Sequence, residues 1–317
     1  MDTEVGSEPS RSHRREGTIV ALCLFGLLLI GTALEFSRER LSVAALADPD
    51  APMLLQEGQS LDLGGQVDEL TSDGVSPTSG IWSVDSSEEA TTVQPRFPRR
   101  GTAVRLLTPG GPPDAVDVAT WTRQTGVCAF LIRAFRDGRV SVDVRRTSGG
   151  SRVELLQTAP LPRPAGSQRT LQLGRWSGAR DDLFVIDRDL PDGTMRVRVL
   201  SGESDFKSTV LDVPVSEGAG FDRGEWALDL LDVIGSGRSD LVFSTRSADT
   251  GSGQTEVHVL DAQTNYSGFL LQLPTEVDAA GTSGRRSLTV LLRRQPHWVL
   301  VDARTGRARA YPLAAPR

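Results

Sequence analysis

Lysine and asparagine are almost missing from this chain of 317 residues. Of its 35 basic side chains only Lys207 is a lysine, and Asn265 is the lone asparagine. That skew is the mark of a GC-rich coding sequence rather than of chemistry. Cysteine stops at two, Cys23 in an apolar run and Cys128 in the remainder. The two cannot meet across a membrane, so no internal disulfide supports the fold. Cys128 lies within "VCAFLI" and reads as core filler. There are three histidines, His13, His258 and His297, and no H-E-x-x-H, C-x-x-C, G-x-S-x-G or P-loop pattern. The usual signatures of zinc, thiol, serine-hydrolase and nucleotide chemistry are therefore absent. Aromatic residues make up only 5%, against 32 glycines and 18 prolines, which favours many short strands and turns over long helices. A net charge of −6 makes nucleic acid an unsuitable partner.

Against this background one stretch is uniformly apolar: "TIVALCLFGLLLIGTAL", Thr18 to Leu34. At about 1.5 Å per residue it just reaches across a hydrocarbon core, so the sequence predicts a transmembrane signal-anchor helix over 18–34, with a cleaved signal peptide ending near "ALA" at Ala45 to Ala47 as the alternative. Arg11, Arg14 and Arg15 precede it, whereas Arg38 and Arg40 follow it interleaved with Glu35 and Glu39. This bias keeps residues 1–17 cytoplasmic and places the C-terminal domain outside the membrane. Residues 35–100 turn to Ser, Asp, Glu, Gly, Thr and Pro, as in "DELTSDGVSPTSG". Such a composition predicts a stalk or linker, with "SLDL" and "GIWSV" as isolated strands.

The remaining residues, 101–317, repeat. "TWTRQTGVCAFLIR" from Thr120 returns as "RWSGARDDLFVIDR" from Arg175, "VIGSGRSDLVFSTR" from Val233 and, more faintly, "LLRRQPHWVLVDAR" from Leu291. Alternating apolar runs come before each copy ("AVDVAT", "TLQLG", "WALDLLD", "SLTVL") and after it ("VSVDV", "MRVRV", "TEVHV"). A proline-ended strand then closes the unit. Four antiparallel strands per period describe a propeller blade, which buries its faces only against its neighbours. Four copies fit after Ala115. The segment from Leu61 to Pro109 supplies a fifth blade or a closing strand, so the expected fold is an all-β propeller of about five four-stranded blades.

The strand, the turn "DVIGSGRSDLV" and the next strand resemble the FG-GAP or VCBS repeats of integrin-α-like propellers. In that family the turn carries acids on alternate positions and holds calcium. Here Asp232 and Asp240 match the first and last acids, but Ile234 and Ser236 stand between them, and the second copy keeps only Asp182. Two carboxylates fall short of the six to eight oxygens that calcium takes. The turn therefore reads as a vestige, with Asp232 and Asp240 the candidates for weak calcium binding and no other cofactor expected. Gly235 and Gly237 permit the tight turn, and a carboxylate can accept backbone N–H groups in the ion's place. Trp121, Trp176, Ile234 and Leu292 occupy matching places, which predicts one bulky core residue per turn.

Arg133, Arg188, Arg246 and Arg304 all close the second strand of a copy. In a propeller they form a ring about the axis, a candidate grip for carboxylates, sulfates or phosphates. Without a catalytic motif, the expected function is a membrane-anchored, non-catalytic binding or scaffolding module for a protein or cell-envelope polysaccharide. The alternative is a propeller-type glycan hydrolase or lyase with a carboxylate site in the central channel. Two or three close carboxylates at the axis separate the second from the first.

Overall fold

The structure, a computed structural model, describes residues 60–67, 69–72, 80–97, 100–121, 126–177, 181–188, 190, 194–216, 226–245, 255–275, 285–292, 295–302 and 304–313. The expected anchor over 18–34 lies outside them. Among the described residues no helix is long and apolar enough to cross a membrane. The unit from Leu55 to Arg317 is all β, in five sheets of four strands each.

The first strand, β1 (Ser60–Asp62), belongs to the last blade. Blade 1 is β2 (Glu69–Ser72), β3 (Ile81–Ser86), β4 (Ala90–Phe97) and β5 (Val104–Leu107). Blade 2 is β6 (Ala115–Thr120), β7 (Val127–Ala134), β8 (Val140–Arg146) and β9 (Arg152–Gln157). Blade 3 follows as β10 (Gln168–Gly174), β11 (Asp182–Arg188), β12 (Thr194–Leu200) and β13 (Thr209–Ser216). Blade 4 is β14 (Trp226–Leu231), β15 (Asp240–Thr245), β16 (Thr255–Leu260) and β17 (Phe269–Thr275). Blade 5 is β18 (Arg285–Leu292), β19 (Gln295–Asp302) and β20 (Arg307–Pro312), completed by β1. All pairings are antiparallel, as in a meander. The first strands of the blades touch in the cycle β2, β6, β10, β14, β18 and back to β2, so they surround the axis.

The described residues between Ser60 and Arg100, expected to belong to a stalk or linker, instead contribute strands to the propeller. "SLDL" is the closing strand β1 and "GIWSV" is the centre of blade 1, neither of them isolated. Closure follows from register: Ser60, Leu61 and Asp62 face Arg309, Ala308 and Arg307. Leu61 and Leu63 are fully buried, and Leu63 N–H donates to the Gly306 carbonyl at 2.8 Å. Gly306 turns with φ of 67°, and a Cβ there would strike the backbone of Gly64 and Gly65, so only glycine lets the two chain segments approach this closely.

Lateral packing supplies the core. Even-numbered positions of β7 (Cys128, Phe130, Ile132) pack with Leu171, Leu183 and Val185 of blade 3. Odd-numbered Ala129 and Leu131 pack with Val84, Val93 and Leu106 of blade 1. Each second strand is thus buried on both faces, which explains the unbroken apolar run "VCAFLI" and confirms Cys128 as core, 1% exposed. Phe184 and Ile186 pack with Leu241 and Phe243 of blade 4, and Val242 with Trp298 of blade 5. His297 lies within β19, where it is buried and Nδ1 sits 2.9 Å from the Gln295 carbonyl.

Truncating Leu61 to Ala leaves a cavity in the closing blade and is expected to cost about 2–5 kcal/mol. Leu107→Ala, at a side chain that is 61% exposed, should stay within about 0.5 kcal/mol of the parent. Urea unfolding of the two variants checks the contrast.

Candidate functional site

Along the axis runs a channel of about 680 Å³, lined by the first strand of every blade. First strands in a propeller have no sheet neighbour on the axial side, so side chains there must meet the demand of exposed backbone edges. Carboxylates do much of this. Asp117 of β6 accepts from Leu173 N–H of β10 at 2.6 Å and from the Thr71 hydroxyl of β2 at 3.4 Å, so it links three blades. Asp229 of β14 accepts from the N–H and the hydroxyl of Thr289 in β18, each at 3.1 Å.

The two acids are equivalent by register. Asp117, Gln172 and Asp229 face Phe130, Phe184 and Val242 on the next strand, and all three partners pack towards the following blade. Both acids also line the channel. Burial pushes the Asp117 carboxyl up to about 7 against the pull of the Leu173 N–H, and the charges of Asp181 and Glu69 add to the rise. Burial likewise pushes Asp229 up to about 7 despite its two bonds from Thr289. Asp181, just before β11, is raised by burial to about 6, held back chiefly by Arg175, whose Nε lies 3.7 Å away. Three carboxyls of the channel are therefore raised towards neutrality, and the charge of Asp181 contributes to the rise at Asp117.

These acids were not singled out in the sequence. The available signal was an acid inside an alternating first strand, "AVDVAT" or "WALDLL". Asp117 stands in series with Ala115 and Ala119, which pack against blade 3.

The turn acids lie at one mouth of the channel. Asp232 Oδ1 accepts from Ser236 N–H at 2.7 Å and Oδ2 from Gly237 N–H at 2.8 Å. Asp240 is fully buried and accepts from Val233 N–H and Ala262 N–H, each at 2.9 Å. Asp182 repeats this in blade 3, taking Trp176, Ser177 and Gly202 N–H, each at 2.8 Å. In both blades one buried carboxylate fastens the first turn to the 3-10 turn after the third strand, Gly202–Ser204 or Ala262–Thr264. No group of three or more His, Cys, Asp or Glu is placed to hold a metal among the described residues. Val233, not Ile234, takes the place of Trp176: both give their N–H to the strand-opening aspartate, and Val233 is buried while Ile234 is 49% exposed at the channel mouth. Trp121 and Leu292 are buried as expected.

The arginines do not share one place. Arg133 follows Ile132, which faces blade 3, so Arg133 turns towards blade 1 and donates to the carbonyls of Pro109 and Gly111. Arg188 lies two positions after Ile186, which faces blade 4, and turns that way. The copies differ in register by one residue, and one residue reverses the face. Arg304 is exposed in the turn after β19, and Arg246 lies outside the described residues.

No protein-family model matches the sequence, and no curated protein matches it. Solved structures do resemble the fold. An exo-β-1,3-galactanase from Phanerochaete chrysosporium with galactose aligns at 11% identity and a TM-score of 0.47, over 84% of this chain and 62% of that one. The chain thus spans less than two thirds of the galactanase. A GH43_1 enzyme from Xanthomonas citri aligns at 13% identity and a TM-score of 0.45, over 86% and 94%; its complex with xylose aligns at 14% and 0.46. At these values the chemistry has to be judged from the channel itself. The non-catalytic module expected from the sequence is corrected here in favour of its alternative, because the axial channel is lined by buried carboxyls of neighbouring blades, Asp117 and Asp181, with the charge of Asp181 felt at Asp117.

Two outcomes follow from the carboxylates. Asp182→Asn turns one oxygen into an amide donor facing a backbone N–H, and the loss expected is about 1–3 kcal/mol by denaturant titration. Burial raises the Asp229 carboxyl to about 7 in the folded protein, above the 3.8 of a free aspartate. Its stabilisation is thus complete below the lower value and lost as pH rises through the upper one. Asp229→Asn, which keeps an acceptor for Thr289, should flatten the fall of the thermal midpoint between those two values.

Proposed function

We propose that the protein is a propeller-type glycan hydrolase whose chemistry resides in the axial channel. The observation that carries this reading is that Asp117 and Asp181, two buried carboxyls with different environments, line the same axial channel, with the charge of Asp181 felt at Asp117. Hydrolysis of a glycosidic bond takes one carboxyl that still holds its proton and one that has lost it. Asp117, raised to about 7, is the proton donor to the departing oxygen. Asp181, lower at about 6 and beside the Arg175 guanidinium, is the ionised partner that acts on water or on the sugar. Arg175 is a positioning residue that keeps Asp181 charged. Asp229 is a further protonated group of the channel, in register with Asp117, and serves as a donor to sugar hydroxyls.

In this reading the enzyme works at the outer face of the membrane, tethered through Thr18–Leu34, with a cell-envelope polysaccharide as substrate. Calcium takes no part in the chemistry, since the oxygens of Asp232 and Asp240 already serve backbone N–H groups.

The full chain, incubated with β-1,3-galactan, xylan and extracted envelope polysaccharide, should release reducing ends with a bell-shaped pH dependence whose limbs fall near 6 and 7. Asp117→Asn should lower the rate by about 10²–10⁴-fold, the usual contribution of general acid catalysis. A chain that releases nothing from any of these substrates, or whose rate is the same in Asp117→Asn, overturns the assignment.

A further inference from the structure

We propose that the groove between blades 1 and 2, remote from the channel, is a second carbohydrate site that holds one sugar ring. The choice of carbohydrate rests on the glycan reading above; the groove itself does not. It encloses about 310 Å³, at the lower end of the range of about 300–1,000 Å³ for small-ligand sites.

Register builds its floor. On the face of blade 2 turned towards blade 1, Arg133, Ser141 and Gln157 form one cross-strand row. Leu131, Asp143 and Leu155 form the next. Thr108 and Pro109 of the blade connection cover one side, and Phe135 stands at the edge. Asp143 is fixed by two guanidinium groups, those of Arg145 and Arg152, at 2.9 to 3.0 Å, so the polar surface is rigid.

Two observations point to a ligand. First, the Thr108 hydroxyl and Arg133 Nε are buried with no hydrogen-bond partner, although Thr108 is only 3% exposed. A buried orphan of this kind costs about 1–3 kcal/mol, and a valine in place of Thr108 would avoid it. Second, Phe135 and Leu155 are 44% and 58% exposed on the same groove, beside hydroxyl, amide and guanidinium groups. A pyranose has this mixed character: a C–H face for Phe135 and Leu155, and hydroxyls that both donate and accept for Thr108, Ser141 and Gln157. The terminal nitrogens of Arg133 each donate to a carbonyl, that of Pro109 or of Gly111, which fixes the guanidinium beside the groove. A peptide strand fits less well, since one orphaned group, Arg133 Nε, lies on a sheet face and the other, the Thr108 hydroxyl, is a side-chain group of the blade connection, so neither is a backbone edge.

The probes are methyl β-galactopyranoside and methyl β-xylopyranoside, with an N-acetyl dialanine amide as the peptide control, observed by saturation-transfer NMR on the full chain. Asp117→Asn should retain the sugar signals. Phe135→Ala and Thr108→Val should each lower sugar affinity by about tenfold, a change of about 1.4 kcal/mol, while leaving turnover in the channel intact. Phe135 is exposed, and Thr108→Val conserves shape, so both variants keep the fold. Unchanged sugar affinity in both variants, or signals from the peptide control alone, overturns the second site and leaves the channel assignment standing. Loss of hydrolysis in every substrate with sugar binding retained removes the channel assignment and leaves the groove.

Discussion

The antiparallel pairing of β1 with β20 is the contact on which the rest of the molecule rests. A propeller blade has two apolar faces and no core of its own, so each blade is stable only between two neighbours. Four of the five junctions join segments that follow one another along the chain. The fifth brings blade 5 beside blade 1, and the outer strand of blade 5 comes from a segment that precedes blade 1 in sequence. Pairing Leu61 with Ala308 in register turns a row of stacked sheets into a closed ring. Without it blade 5 would have three strands, and Val84, Val116 and Trp298 would all sit closer to an open end.

Closing the ring creates the channel. Because the first strands have only one sheet partner, their axial side carries N–H groups that need acceptors. Asp117 and Asp229 provide them at two junctions, and the same burial that makes them useful as acceptors raises their affinity for protons. In the reading proposed above, structure and chemistry share these carboxyls. Asp182 and Asp240 show the purely structural version: they take two or three backbone N–H groups each inside a blade and join its turns.

The strand repeats and the number of blades could be read from the sequence wherever strands are long and bounded by glycine. Blade 1 could not. Its β2 and β5 have four residues each, and Thr71 and Thr91 fill buried positions, so a real blade has the polar composition of a linker. The channel acids were hidden for a related reason. An aspartate between valines suggests a solvent-facing residue of a half-buried strand, but first strands of a propeller are covered on both faces and open only at the axis. The arginine column failed by a single residue, since alternation carries no information about how copies with different turn lengths align. The groove beside blade 2 depends on which part of a sheet face the neighbouring short strand β5 leaves uncovered, and no local pattern encodes that.

The position of β1 in the last blade also governs when the molecule can mature. During synthesis β1 leaves the ribosome before any blade exists, and its partner β20 is made after all the others. Throughout that interval the nascent chain holds a finished strand with nowhere to pair and a growing stack with a bare end. Completion is therefore a late event, and a chain halted before Arg307 lacks the strand with which β1 pairs.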